Sequence, residues 1–308
     1  MTNLGRVLAE MIHDCLIVGG GPAGLTCGIF LARFRRSFVL ADEGQSRAAW
    51  IPASHNHPAF PHGINGCDLL ARMGSQLTRF GGFRRIAHVS SVSRQPDGLF
   101  YATLDNQTLI SRTVVLASGV IDKEPPLPDA PDWVRRGLIR QCPICDGYEA
   151  IDRQIVVIGH GQQGIGEALF MRTYTAKITL VTLGIDPDAV ARQRHALMAG
   201  GIKVVECKLE SIAVGADRLA RLCFADGTVL RSDTVYSALG VIPRSEFAAA
   251  LSLAMEEGRI ITDKHQRTSV DGCYAAGDIV TGLNQLAVAM AQGEIAAVDI
   301  HNRLRRDR

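Results

Sequence analysis

No stretch of this 308-residue chain stays apolar for the roughly 20 residues that a membrane-spanning helix needs. Met1 to Ile12 also has no apolar core of the signal-peptide kind, so a cytoplasmic chain is expected. Charge of one sign is missing too, since 33 basic and 31 acidic side chains leave a formal net charge of +2. Neither nucleic acid nor a membrane surface is therefore expected as the main partner. The short basic clusters Arg35 and Arg36, Arg84 and Arg85, Arg135 and Arg136, and Arg303 to Arg308 read as solvated surface. Metal-ligand spacing is lacking as well. Cys15, Cys27, Cys67, Cys207, Cys223 and Cys273 stand singly among apolar neighbours, without a histidine at ligand spacing, and read as buried free thiols.

What is there is glycine, 31 residues of it in a chain that is 47% hydrophobic, which suits an α/β protein long enough for two domains. Residues 15–18 form a short apolar run, followed by Gly19, Gly20, Gly21, Pro22, Ala23 and Gly24, a helical stretch over 25–34, and a second strand over 37–41 that ends at Asp42 and Glu43. This is a βαβ unit with glycines at the first, third and sixth positions of a dinucleotide fingerprint. Gly19 permits the tight turn, Gly21 lets backbone approach a pyrophosphate, and Gly24 lets the helix pack closely on the strand. Pro22 and Ala23 open the helix whose N–H groups would bind the phosphates. Asp42 stands where a carboxylate accepts hydrogen bonds from an adenosine ribose, with Glu43 as the fallback.

The design repeats about 140 residues later, with a strand over 154–158, the turn Gly159, His160, Gly161, Gln162, Gln163, Gly164, a helix over 165–174 and a strand over 177–182. Glycine and proline mark joins at 124–131 and 240–245. Residues 259–262, the run from Gly272 to Gly277 and Asp278, and a helical stretch over 284–304 follow the second join. The expected architecture is α/β, with two Rossmann-like three-layer domains: a discontinuous one over 1–121 and 244–308, and a second over 122–243.

Between the two fingerprints lies Gln141, Cys142, Pro143, Ile144, Cys145, Asp146, Gly147. A Cys-x-x-Cys pair closes a small disulfide ring, and its reactivity depends on the thiolate. A structural disulfide is the bland alternative, but a cytoplasmic chain seldom keeps one. Asp146, directly after the second cysteine, is placed to donate or accept a proton.

Two nucleotide units, Cys-x-x-Cys-Asp-Gly ahead of the second, and a late Gly-Asp together resemble the low-molecular-weight thioredoxin reductases, which are FAD-dependent disulfide oxidoreductases. The resemblance runs from about His13 to Leu304. It implies that the first unit binds FAD, with Gly277 and Asp278 at its ribityl and pyrophosphate region and Gln285 and Leu286 against the isoalloxazine. The run His55, Asn56, His57, Pro58, Phe60, Pro61 resembles a flavin-contacting loop, and Ala117, Ser118, Gly119 a turn of the same domain. Cys145 would lie against the flavin, and Cys142 would exchange with a thioredoxin-like protein or small disulfide. A homodimer, with rotation about the joins, is also implied.

The second unit departs from that pattern where an electron donor would bind. Thr182, Leu183 and Gly184 stand where an NADPH user carries a basic cluster, and no acidic residue of the NAD type takes the strand end. Arg192 and Arg194 lie further on, and His160 narrows the turn. NADPH or NADH therefore stays open beside FAD. So do the readings of a ferredoxin- or second-flavin-linked reductase, of a dithiol oxidase using oxygen, and of a non-catalytic flavin redox sensor. Oxidases of that kind commonly carry histidine where this chain has Asp146, which favours disulfide reduction.

Overall fold

The structure, a computed structural model, describes residues 11–215, 217 and 219–306. Met1 to Glu10 and Arg308, both part of the sequence reading, lie outside it. The chain separates into two units. One comprises the residues up to Trp50, Asn65–Ile121 and those from Ile242 onward, and the other comprises Ile51–Ile64 and Asp122–Val241.

In the first unit, β1 (Ile12–Val18) is a central strand whose last four residues are buried, as expected of a parallel strand covered on both faces. Each such buried Leu or Ile contributes about 1.5–3 kcal/mol. Helix α1 (Pro22–Arg33) follows, with proline at its first position, where the missing N–H is no loss. Strand β2 (Phe38–Asp42) pairs parallel to β1. Asn65 caps α2 (Gly66–Arg79) by accepting from the N–H groups of Cys67 at 2.8 Å and Asp68 at 3.3 Å.

Strands β3 (Arg84–Ile86), β4 (Val89–Arg94), β5 (Phe100–Leu104) and β6 (Gln107–Leu116) complete a sheet of order β3-β2-β1-β6-β5-β4. The long β6 is forked. Its first half pairs antiparallel with β5, and its second half pairs parallel with the strand Cys273–Ala275 that returns from the far end of the sequence. The final helix, Leu286–Arg306, packs on α1 so closely that a Cβ on Gly293 would lie 2.2 Å from the carbonyl of Ala23.

The chain crosses between units on two adjacent strands, β7 (Val120–Asp122) and a later one pairing with it. In the second unit come α3 (Ala130–Arg135), β8 (Ile139–Arg140), the single turn α4 (Pro143–Asp146), β9 (Ile155–Ile158), α5 (Gly161–Met171), β10 (Ile178–Val181), α6 (Pro187–Ala199) and β11 (Lys203–Val205). A three-stranded antiparallel sheet of β12 (Leu209–Val214), β13 (Ala220–Phe224) and β14 (Val229–Ser232) follows. Strand β15 (Thr234–Ser237) then inserts between β9 and β8, giving a parallel sheet of order β11-β10-β9-β15-β8. The last crossing strand is β16 (Val241–Pro243). The Rossmann-like α/β expectation holds, and no helix among the described residues is long and apolar enough to cross a membrane.

Three expectations need correction. Cys67 is exposed, because Leu69, Met73 and Leu77 define the buried face of α2 and Cys67 lies off it. Cys207 and Cys223 are only half-buried, Cys223 because β13 alternates and turns it outward, whereas Cys15, Cys27 and Cys273 are buried. Arg36 is not solvated surface: its side chain is 6% exposed, Nε donates to His301 Nδ1 at 3.2 Å, and Nη2 donates to the His301 carbonyl at 3.0 Å. Residues 51–64, which the sequence reading counts with the first domain, group with the second unit. Ser54 and Ile64 close this loop on itself through two backbone hydrogen bonds.

Candidate active site

Cys142 and Cys145 form a disulfide. Cys142 caps α4, its Sγ accepting from the Cys145 N–H at 3.2 Å, and Pro143 sets the first helical φ. Asp146 comes next, and burial pushes its carboxyl up to about 6, against the pull of Arg140, whose Nη1 lies 3.6 Å from Oδ2. Arg140 Nη1 and the Tyr236 hydroxyl each donate to the Asp146 backbone carbonyl at 3.0 Å, while Asp146 Oδ1 is buried with no hydrogen-bond partner. The result is a carboxyl held on two sides by β8 and β15, with one oxygen free for a proton.

The loop at 51–64 meets this turn, since Asn56 Nδ2 donates to the Ile144 carbonyl at 3.5 Å and its Oδ1 accepts from Ser54 Oγ at 3.0 Å. Asn56, expected at a cofactor, is thus placed on the cysteine turn. Ile144, Tyr148 and Ile151 are exposed around the pair.

In the first unit the fingerprint glycines are required by space. A Cβ on Gly19, whose φ is +107°, would lie 2.3 Å from the Ala117 carbonyl oxygen, and one on Gly24 1.9 Å from the Gly19 carbonyl oxygen. Ala23, Ala117, Ala276 and Ala289 cluster at the start of α1, and Gly277 fits against Ala23, its N–H donating to Gln292 Oε1 at 2.8 Å. Asp278 receives Arg47 Nη1 at 3.1 Å and the Arg259 guanidinium on its backbone carbonyl. Gln285, just ahead of the final helix, and Leu286, its first residue, are half-buried, and Gly119, with φ +69°, turns the chain after β6 while accepting from the Arg244 N–H at 3.0 Å.

The two acids after β2 separate. Glu43 is paired with His88, whereas Asp42 is buried with its carboxylate over Gly20. Arg84 Nη1 is 3.1 Å from Asp42 Oδ2 but off the hydrogen-bonding direction, so that buried oxygen still lacks a donor. A ribose hydroxyl would supply it. This orphaned acceptor and the Cβ-free glycine cradle fit FAD. Sequence reading missed Ser46, whose Oγ lies 3.2 Å from a Cβ position on Gly21, and Arg47 and Gln292 with it. Only contacts between distant segments bring Ser46 to Gly21, Arg47 to Asp278 and Gln292 to Gly277.

In the second unit, Gly159 and Gly164 pack against each other, and Gly161, with φ +61°, starts α5. Gln162 and Gln163 are exposed on its first turn, Gln163 Nε2 donating to Glu167 Oε1 at 3.3 Å. Burial pushes the Glu167 carboxyl up to about 7, and its Oε2 has no hydrogen-bond partner. Asp186 Oδ2 lies 3.4 Å from a Cβ position on Gly161, so an acid does stand at this turn, four residues beyond the Thr182 end of the strand where it was sought.

The pyridine nucleotide-disulphide oxidoreductase family profile matches residues 13–293. A thioredoxin reductase of Borreliella burgdorferi is 29% identical over 98% of this chain and 95% of its own length. The crystal structure of HlmI superposes with a TM-score of 0.86 at 27% identity, covering 96% of this chain and 94% of that one. The thioredoxin reductase of Streptococcus pyogenes shares the fold, with a TM-score of 0.87 at 24% identity over 96% of this chain and 99% of its own. With its disulfide and its first-unit cradle, the chain belongs to the pyridine nucleotide-disulphide oxidoreductase family, as a thioredoxin-reductase-like, FAD-dependent disulfide oxidoreductase.

Proposed function

We propose that the Cys142–Cys145 disulfide is the redox centre that hands two electrons to an external disulfide, with Asp146 as its proton-transfer group. The observation that carries this is the buried carboxyl next to the pair, with a raised pKa and an oxygen free of partners. When bound, FAD supplies the two-electron carrier. The fingerprint glycines Gly19, Gly21 and Gly24, with Pro22, Ala23, Asp42, Gly119, Gly277, Asp278, Gln285 and Leu286, would hold it. Reduction of the disulfide takes up two electrons and two protons, and Asp146 in its acid form delivers a proton to the departing thiolate. In the second half, Cys142 as thiolate attacks the substrate disulfide, one substrate thiol leaves, and Cys145 resolves the mixed disulfide, restoring the internal bond.

Exposed Ile144, Tyr148 and Ile151, within ten residues of chain, favour a macromolecular disulfide of the thioredoxin kind, because apolar side chains around a reactive bond suit a protein surface. A reducing cytoplasmic setting, where structural disulfides are rare, and a homodimer complete the reading. The test is anaerobic photoreduction of the purified holoprotein, followed by thiol titration with and without thioredoxin disulfide. The expected result is two thiols per chain beyond those the oxidised protein already titrates, Cys67 among them, and these two are passed on stoichiometrically; a preparation without bound FAD, or a pair that stays oxidised beside reduced flavin, refutes it.

A further inference from the structure

We infer that Asp186 closes the second glycine turn to a nicotinamide dinucleotide, its carboxylate standing where an incoming pyrophosphate would be neutralised in a working site. The internal duplication makes the comparison direct. Gly19 and Gly159, Gly21 and Gly161, Gly24 and Gly164, Asp42 and Thr182, and Ser46 and Asp186 each stand 140 positions apart. In the first unit, the position facing the third fingerprint residue is a neutral hydroxyl, Ser46 Oγ, 3.2 Å from a Cβ position on Gly21, with Arg47 following it. In the second unit the same position is a carboxylate, Asp186 Oδ2, 3.4 Å from a Cβ position on Gly161, and it is followed by Pro187. The ribose-facing acid of the first unit has no counterpart, because Thr182 is buried at 1% exposure.

The local backbone holds Asp186 in place. Leu183, Gly184 and Asp186 all have positive φ, at +61°, +71° and +51°, so the chain turns back sharply after β10. Asp186 Oδ1 accepts from the Ala189 N–H at 3.2 Å and caps α6. The carboxylate therefore sits between the first turns of α5 and α6, where the helix dipoles favour a negative charge. It takes for itself the field that a phosphate uses in a dinucleotide site, and it adds repulsion. The cation that pairs with it, Arg192, has Nη2 3.9 Å from Asp186 Oδ1, and with both side chains exposed the pair is weak and leaves most of the carboxylate's charge facing the turn. The donor set of the second unit does not fit NADPH or NADH.

This inference rests on reading residues 159–164 as a Rossmann turn, independently of the disulfide chemistry proposed above. The experiment is calorimetric titration of the full-length holoprotein with NADPH, NADH and ADP-ribose, in the parent chain, in Asp186→Ser, which copies Ser46, and in Asp186→Asn. Serine and asparagine both cap helices, so α6 is preserved, and circular dichroism confirms folding. Expected are dissociation constants of about 1 mM or weaker for the parent chain, and binding tightened by about tenfold or more in both variants when the charge is removed. Micromolar binding by the parent chain overturns the inference, as does a loss of binding in Asp186→Ser, which would make the carboxylate a ribose acceptor. Unchanged weak binding in both variants overturns it too. Electron transfer from photoreduced flavin to the cysteine pair, followed in the same samples, reports on the disulfide chemistry separately.

Discussion

Replacing Asp146 by Asn separates the proton-transfer role of this residue from its structural cost. The carboxyl is raised from 3.8 to about 6, chiefly by burial, with Arg140 pulling the other way. At pH 7 about 90% of it is ionised, leaving enough acid form to protonate a thiolate and enough base to activate a thiol. The native state keeps its proton between pH 3.8 and about 6, where the unfolded chain has released its own. Stability from this group is therefore full below pH 3.8 and is lost as pH rises through about 6. The loss by pH 7 amounts to at most about 3 kcal/mol. Asn, of the same shape and without a charge, regains part of that, less the interaction with Arg140. Asp146→Asn should thus raise the denaturant midpoint at pH 7, leave it nearly unchanged at pH 4, and slow disulfide turnover by about 100- to 10,000-fold, removing the limb near pH 6. Turnover within twofold of the parent chain with the same pH profile would show that the proton goes elsewhere. A variant less stable than the parent at pH 7 would show that the ionised carboxyl is better solvated than its burial implies.

Cys145→Ser should retain the FAD absorbance and abolish disulfide turnover, as thiol titration and steady-state assays with thioredoxin will show. Gly24→Ala places a Cβ 1.9 Å from the Gly19 carbonyl oxygen, which cannot move without opening the turn. A loss of at least about 2 kcal/mol in stability and release of FAD on gel filtration are expected. In Asp299, burial pushes the carboxyl up, but Arg267, donating through Nε at 2.7 Å and Nη2 at 2.6 Å, and the Tyr274 hydroxyl at 2.8 Å hold it below the usual carboxylate range. The stability it contributes is present above pH 3.8 and is lost as pH falls. Asp299→Asn should cost about 1–3 kcal/mol at pH 7 and flatten the acid limb of the stability curve.

Much of the fold is legible in short runs of residues because its determinants are local. A glycine fingerprint works through the φ of Gly19 and the missing Cβ of Gly24, and both effects are felt within six residues. The cysteine pair closes its own ring across one helical turn, with Pro143 setting the geometry. The repeat at 140 positions likewise needs only the order of residues to be seen, and with it the discontinuous α/β architecture.

What the order of residues leaves open are properties created by distant segments. Asp42 and Glu43 are equivalent candidates along the chain, and only the folding of β2 over the glycine turn, with His88 drawn to Glu43, separates them. Cys67 and Arg36 have apolar and polar neighbours in sequence that do not decide their exposure. The buried face of α2 turns one out, and His301, 265 positions away, takes the other in. Asp146 gains its raised pKa from burial in the folded chain, against the opposing pull of Arg140 on β8 and Tyr236 on β15, and Asp186 gains its significance from left-handed residues that return it to Gly161. The sequence by itself determined the turns, the disulfide and the two-unit plan, since these depend on covalent geometry and near-neighbour sterics. The tertiary structure decided which carboxylates are buried, paired or aimed at a ligand, since desolvation and Coulomb energy depend on what lies within a few ångströms in space.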